Sequence, residues 1–257
     1  MKQASEVFIA VFTISVIRYF ILAGIAFVLC YKLLRKGLVH SKIQGRSAAR
    51  RDFIREILQS LKTMVVFTVI VYVVLYTPFK KLTLVYTDLS YDPVWWIFVS
   101  VALSLIIHDT YFYWMHRLLH HPKIFRYAHF VHHKSTNPSP WASYSFHFIE
   151  AWTEGAVLLV IVMVIPMHPL SITLFVVGAL FINVYGHLGY EIAPIWLRKT
   201  FLFEIINTSV YHNLHHSKFK GNYGLYFRVW DRLMGTEHPD YVKEYDRVQQ
   251  NRLKIKK

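Results

Sequence analysis

Residues 7–31, VFIAVFTISVIRYFILAGIAFVLCY, carry a single charged side chain, Arg18. Few folds accept such a stretch. Inside hydrocarbon its backbone N–H and C=O groups find no water, so they must pair within the segment, and a helix does that. About 20 apolar residues cross a bilayer, and this run exceeds that length. The alternative is a cleaved secretory leader, but the run is too long for one and no small-residue cleavage site follows it. The segment therefore reads as a first transmembrane helix that stays attached. With 54% apolar and 17% aromatic residues, the whole chain is too apolar for an ordinary water-soluble domain.

Further runs follow. Met64–Tyr76 is long enough to span once Ile57, Leu58 and Leu61 are counted with it. Pro93 and the pair Trp95/Trp96 open a third span, where a leading proline and interfacial tryptophans both fit. Residues 156–165 and 170–184 flank the turn Pro166-Met167-His168-Pro169 and form a helical hairpin, crossing fully or re-entrant. Its first arm is short unless residues 148–154 belong to it. The single cysteine, Cys30, excludes an intramolecular disulfide framework and a thiolate metal site. The net charge of +14 concentrates beside apolar segments, where it reads orientation and anionic lipid, and no nucleic-acid recognition motif accompanies it.

Eight of the 15 histidines fall into three clusters: His116/His120 (H-x-x-x-H), His129/His132/His133 (H-x-x-H-H) and His212/His215/His216 (H-x-x-H-H). Imidazole is the commonest side-chain metal ligand, and helical residues three or four apart share a face, so each cluster can aim its rings at one point. Taken singly, a histidine pair is more often a solvated face or a packed ring; three repeating clusters reverse that. A structural site needs only four ligands, so eight imply two metal ions. The third span continues past the membrane face as His108–His120, and on it Asp109, Tyr113, His116 and His120 form one stripe. Asp109 is placed to orient a ligand ring or to bind metal itself. His108 points away from that stripe and reads as structural or substrate-facing. A ninth candidate, His187, ends the fifth span beside Gly186 and Gly189, with Glu191 one turn further on the same face. Three roles stay open to Glu191: metal ligand, support for His187, or partner of a basic residue. His147, Glu150 and Glu154 form another stripe, suited either to lining the site or to the acidic start of a helix.

Topology puts the clusters on one side. Lys32, Arg35, Lys36, Lys42, Arg46, Arg50, Arg51 and Arg55 stand against one acid, Asp52, so this loop faces the cytoplasm, and the charge-balanced loop Lys80–Asp92 faces out. All three clusters and the basic tail Lys243–Lys257 then lie on the cytoplasmic side. The expected fold is an all-α integral membrane protein of four to five transmembrane helices with a cytoplasmic histidine-rich helical cap. It forms a single unit, with N-terminal spans over 7–78 and a catalytic region over about 94–240, in a bacterial inner membrane or the endoplasmic reticulum.

Two nitrogen-held metals beside apolar spans suit dioxygen activation. Iron fits because the ions must change oxidation state, which zinc cannot do. A lipid lying in the bilayer could present an unreactive C–H bond between the helices, and apolar walls would exclude water. Electrons must come from a separate protein, cytochrome b5-like or ferredoxin-like, because the chain has neither a G-x-G-x-x-G fingerprint nor cysteines for an iron–sulfur cluster. The basic face would attract an acidic donor or, equally, anionic headgroups. A metal-binding or metal-transporting membrane protein is the competing class; it would spread its ligands through the spans instead of capping them.

D-T-Y-F-Y-W-M-H-R-L-L-H-H-P, H-F-V-H-H, N-V-Y-G-H-L-G-Y-E and Y-H-N-L-H-H with the following W-D-R-L-M-G-T together resemble the fatty acid hydroxylase/sterol desaturase superfamily over residues from about 108 to 240. The resemblance implies a membrane-embedded non-haem di-iron oxygenase acting on a sterol, sphingolipid, fatty acyl or ether lipid, with dioxygen as co-substrate. It implies ligand roles for His116, His120, His129, His132, His133, His187, His212, His215 and His216, and a structural role for Trp230–Thr236. Where sterol C-5 desaturase-like members often carry H-P-x-E, this chain has His147-Phe148-Ile149-Glu150. Where the fatty-acid 2-hydroxylase branch pairs two histidines near the fifth span, this chain has Glu191, which points to the sterol desaturase-like branch. Acyl-chain desaturases of the other membrane di-iron family use similar histidine boxes, but the N-V-Y-G-H-L-G-Y-E and W-D-R-L-M-G-T segments argue against them.

Overall fold

A computed structural model describes residues 2–46 and 48–253. The last four residues of the basic tail, 254–257, lie outside the described residues. The chain is helical, and among the described residues only isolated β-bridges occur. Among the described residues, four helices are long and apolar enough to cross a membrane: Gln3–Leu33, Arg50–Tyr76, Trp95–Leu119 and Pro169–Gly186. The first comprises α1 (Lys2–Phe27) and a π-helical continuation to Leu33; the others are α2, α3 and α7. On α1, Ile9, Ile14, Ile17 and Ile25 are each more than half exposed, an apolar outer face that water would not favour and lipid would cover.

The hairpin's first arm does include residues 148–154. α6 runs Phe148–Val164, and its 17 residues rise about 26 Å, close to the hydrocarbon thickness. The turn between α6 and α7 stands level with the start of α3, where Trp96 Nε1 donates to the Pro166 carbonyl at 2.9 Å. α2 packs on α1 and α6, and α3 packs on α6 and α7. Their shared core includes Tyr19, Met64, Ile70, Ile161, Phe175 and Leu180.

The remaining α-helices gather at the opposite end. Short helices α4 (Pro122–Ala128) and α5 (Phe130–His133) follow α3; α8 (Ser209–Lys218), α9 (Val229–Leu233) and α10 (Tyr241–Leu253) follow α7. A second core of Phe203, Tyr211, Tyr241, Tyr245 and Val248 holds this cap together. Within it the buried Arg228 pairs with both carboxylate oxygens of Glu237 at 2.7 and 2.8 Å and lies over the Phe203 and Tyr241 rings. The basic loop after α1 belongs to the cap: Gln44 bonds Asn213 at 2.8 Å, Ile43 N–H donates to the Gly189 carbonyl at 3.2 Å, and Arg55 reaches Ser135 at 3.2 Å. Gly189 takes φ +74°, and a Cβ there would lie 2.6 Å from the Tyr31 hydroxyl, so a glycine is required.

Candidate metal centre

All nine candidate histidines converge in two adjoining groups, His116/His120/His129/His133/His215 and His132/His187/His212/His216. Within each group one nitrogen per ring lies within 4.8 Å of all the others. The groups abut, with the His133 and His216 rings 4.9 Å apart between centroids.

The three clusters do not each serve one point, as their spacing had suggested. His129 and His133 join the first group while His132 joins the second; His212 and His216 join the second while His215 joins the first. Helical geometry explains the division. Residues four apart differ by about 40° around the axis, but the neighbours at i+3 and i+4 differ by about 100°. Each H-x-x-H-H therefore gives its outer pair to one group and its middle ring to the other. α8 packs beside Gly186, where a Cβ would make ordinary van der Waals contact with the His212 ring at 3.4 Å.

The outer nitrogens are held from behind. His116 Nδ1 faces the Tyr223 carbonyl at 2.8 Å, His187 Nδ1 the Asn183 carbonyl at 2.8 Å, His215 Nδ1 the Gly221 carbonyl at 2.7 Å, and His132 Nδ1 the Ser145 carbonyl at 3.3 Å. A carbonyl only accepts, so each Nδ1 carries the proton and each Nε2 presents a lone pair inward. Behind His129 stands a carboxyl group: Glu150 Oε1 lies 2.7 Å from Nδ1. The chain turns sharply to supply these groups. α8 ends at Phe219 with φ 64°, and Gly221 and Asn222 stay in the left-handed region, which brings the Gly221 carbonyl back under His215.

Inward, the nitrogens crowd. His116 Nε2 is 3.0 Å from His129 Nε2, and His187 Nε2 is 3.4 Å from His132 Nε2 and 3.1 Å from His212 Nε2. His132 and His187 thus aim two lone pairs at one another, which repels unless a cation stands between them. Two ligands about 2.1 Å from one ion at roughly 90–110° lie about 3.0–3.4 Å apart, so the spacing suits shared metal coordination. Protons do not fill that role. Burial, with neighbouring rings second, holds His129, His132, His133, His212 and His216 well below the ordinary histidine range. His187 and His215 are lowered to about 4 by the same burial. The donor set is buried, neutral and convergent, and fits metal cations.

The two carboxylates singled out in the sequence sit elsewhere. Asp109 Oδ1 accepts the backbone N–H groups of Tyr226 and Phe227 at 2.7 and 3.1 Å, fastening the cap to α3. Glu191 accepts from Ala193 N–H at 2.9 Å, Val210 N–H at 3.1 Å and the Tyr185 hydroxyl at 3.2 Å, tying the end of α7 to α8. Neither belongs to a histidine group. Glu150 is the carboxylate at the centre, and its position in the 147/150/154 stripe was the signal for it. His108 lies outside both groups and bridges Glu154 at 3.2 Å and the Tyr226 hydroxyl at 2.8 Å. Trp230 donates to Thr110 at 3.1 Å and stacks on Tyr113, so the W-D-R-L-M-G-T segment closes the cap on α3.

An apolar cavity opens between the spans beside the second group. Its space, open mouth included, is about 650 Å³, with Phe67, Ile70, Leu158, Phe175, Ala179 and Leu225 among its walls. Asn183 joins it to the histidines, lining the cavity while its carbonyl accepts from His187.

The fatty acid hydroxylase family model matches residues 101–236, a stretch that contains all nine histidines. The chain belongs to that family, in its sterol desaturase branch. It is 34% identical over 176 residues to a Delta(7)-sterol 5(6)-desaturase of Gibberella zeae, covering 66% of this chain and 53% of that protein. Over 230 residues it is 29% identical to lathosterol oxidase of Mus musculus, covering 87% and 72%. Methylsterol monooxygenase 1 of Gallus gallus is 30% identical over 175 residues, covering 66% and 58%. The chain spans 53% and 64% of the length of two Gibberella desaturases that it matches. No solved structure matches it.

Proposed function

We propose that the chain is a membrane-embedded di-iron oxidase that hydroxylates or desaturates a membrane lipid, a sterol first among the candidates. The observation that carries this reading is the pair of buried, neutral imidazole groups adjoining an apolar cavity. His116, His120, His129, His133 and His215 would hold one ion, and His132, His187, His212 and His216 the other. Bound iron would supply the electrons and oxidising power that convert dioxygen into an attacker of an unactivated C–H bond.

The chain's own groups then have defined tasks. Backbone carbonyls of Tyr223, Ser145, Asn183 and Gly221 and the Glu150 carboxyl group keep the inner nitrogens of His116, His132, His187, His215 and His129 free of a proton. Asp109 and Glu191 keep the cap seated on α3 and α7. The cavity walls admit hydrocarbon and exclude water. The basic loop shares the histidine end of the molecule, and by the positive-inside rule that end faces the cytoplasm, where an external protein donor would reach it. Residues 94–240 would act with the N-terminal spans as one unit.

Purified protein is expected to carry about two irons per chain. Membranes containing it are expected to hold a lipid heavier by one oxygen or lighter by two hydrogens than membranes lacking it. Full activity in an iron-free, zinc-loaded preparation would overturn the mechanism.

A further inference from the structure

Trp230 Nε1 donates to the Thr110 hydroxyl at 3.1 Å, and its ring meets those of Tyr113 and Trp114 at centroid distances of 5.9 and 5.6 Å. These contacts fix the depth of α9. Along α3, Thr110 lies about 21 Å from Trp96 at the far end of the span and Trp114 about 27 Å, both short of the hydrocarbon thickness of about 30 Å. Ile106, Trp114 and Leu118 are exposed on one face of α3, and Thr110, between them on that face, is the residue that Trp230 partly covers. α9 is therefore laid on the lipid-facing stripe of a span, not hung beyond its end.

The side of α9 turned away from α3 is apolar. Val229, Leu233 and Met234 are exposed, Leu233 at 70%. Beside them Arg232 pairs with Glu204 at 2.7 Å, which holds the short helix Phe201–Glu204 against α9. Phe201 and Leu202 on that helix are exposed as well, Phe201 at 77%, and so is Trp196 on the short helix Ile195–Lys199 before it. Six large apolar side chains thus share one flank of the cap, where singly scattered ones would need no explanation. Charge at this flank is mostly basic: Arg198 and Lys199 border it, Asp231 is buried against the Tyr223 and Gly224 amides, and Glu204 is taken by Arg232.

We propose that this flank of the cap, Trp196, Phe201, Leu202, Val229, Leu233 and Met234, lies in the bilayer leaflet on the histidine side as an in-plane anchor. Hydrocarbon already surrounds the stripe of α3 on which α9 rests, so the same lipid continues over the apolar side chains of α9. Lys199 and Arg232 then stand at headgroup level, and an aromatic residue, Trp196, marks the boundary as tryptophans do at membrane interfaces. A second copy of the chain would have to displace that lipid to reach the flank. The metal centre is drawn down with it: His116, about 30 Å along α3 from Trp96, stands at the hydrocarbon boundary, so the cap is partly immersed and not raised into water. The anchor rests on the four spans crossing the bilayer and is independent of the oxidase reading.

The test uses the full chain in phosphatidylcholine nanodiscs, with Cys30→Ser and a nitroxide label on either Leu233→Cys or Phe201→Cys. Lys243→Cys, on an exposed position of α10, is the aqueous reference. Collision of the label with dissolved oxygen, which concentrates in hydrocarbon, is compared with collision with a water-soluble nickel chelate. At Leu233→Cys and Phe201→Cys, chelate contact is expected to be several-fold lower than at Lys243→Cys while oxygen contact stays high. Chelate contact equal to the reference at either position overturns the anchor. Exclusion of both reagents also overturns it, and spin–spin broadening in that case would identify a second copy as the occupant. Lipid oxidation by a chain whose labels face water would remove the anchor and leave the oxidase reading standing.

Discussion

Glu150 Oε1 stands 2.7 Å from His129 Nδ1, while its Oε2 accepts the His147 N–H at 3.4 Å. One carboxylate thereby starts α6 and orients a ring of the first histidine group. His147 completes the start by accepting the Ile149 N–H at 3.2 Å. An anion behind an imidazole raises the basicity of the nitrogen on its far side, so Glu150 couples the depth of α6 to the electronics of the centre.

Glu150→Gln keeps an acceptor for His147 and removes the charge. Metal retention in the first group is expected to weaken about 10–100-fold, measured by chelator competition. Retention equal to that of the unmodified chain would show that the charge does not matter there.

Adjacent histidines should behave as strangers and distant ones as partners. His132 and His216 belong to one group, whereas His132 and His133, neighbours in sequence, belong to different ones. His132→Ala/His216→Ala is therefore expected to cost about one ion per chain, and His132→Ala/His133→Ala both. Metal analysis of the two purified variants reads this directly; identical losses would contradict the division.

How much of this was legible beforehand varies by residue. The i, i+3, i+4 spacing made all eight clustered histidines visible, and the H-L-G-Y-E context added His187. Their sorting between two groups was not visible, because one helical face looks single until the elements on either side of it are placed. The four carbonyls behind the rings are backbone atoms and leave no trace in residue identity. Nor does histidine content separate ligands from caps: His121, His147, His168 and His238 each use Nδ1 to accept the N–H two residues on. Asp109 and Glu191 drew notice as carboxylates on ligand-bearing faces, and backbone amides arriving from the cap are what engage them. The spans were readable from hydropathy alone, including the condition on residues 148–154 that α6 meets.

Asp109 gives a stability prediction distinct from a metal one. Asp109→Ala would leave the buried Tyr226 amide without an acceptor, a cost of about 1–3 kcal/mol, and the part-buried Phe227 amide at a smaller cost. A lower Tm and faster hydrogen exchange over residues 223–228 are expected, with metal content retained in the folded fraction. Asp109→Asn, which keeps the acceptor, is expected to lie close to the unmodified chain. Loss of metal from Asp109→Asn at unchanged Tm would make the carboxylate a ligand and end the clamp reading.

Acid should destabilise the metal-free protein through its buried histidines. His187 and His215 are lowered from 6.5 to about 4 in the folded chain, burial being the first cause in both. Between those values the unfolded chain binds protons that the folded chain refuses. Stability rises with pH wherever the unfolded state holds more protons, so it is lost as pH falls from 6.5 towards about 4. The rings held well below the ordinary range, His129, His132, His133, His212 and His216, extend that loss to lower pH. Bound metal should oppose it, since the same nitrogens must shed protons to coordinate. Melting curves of metal-free protein are expected to be flat above about pH 7.5 and to shift several degrees lower by about pH 5. Metal-loaded protein should shift less until the ions leave. A metal-free Tm that is constant, or higher at about pH 5, would mean that these rings are not held neutral by burial.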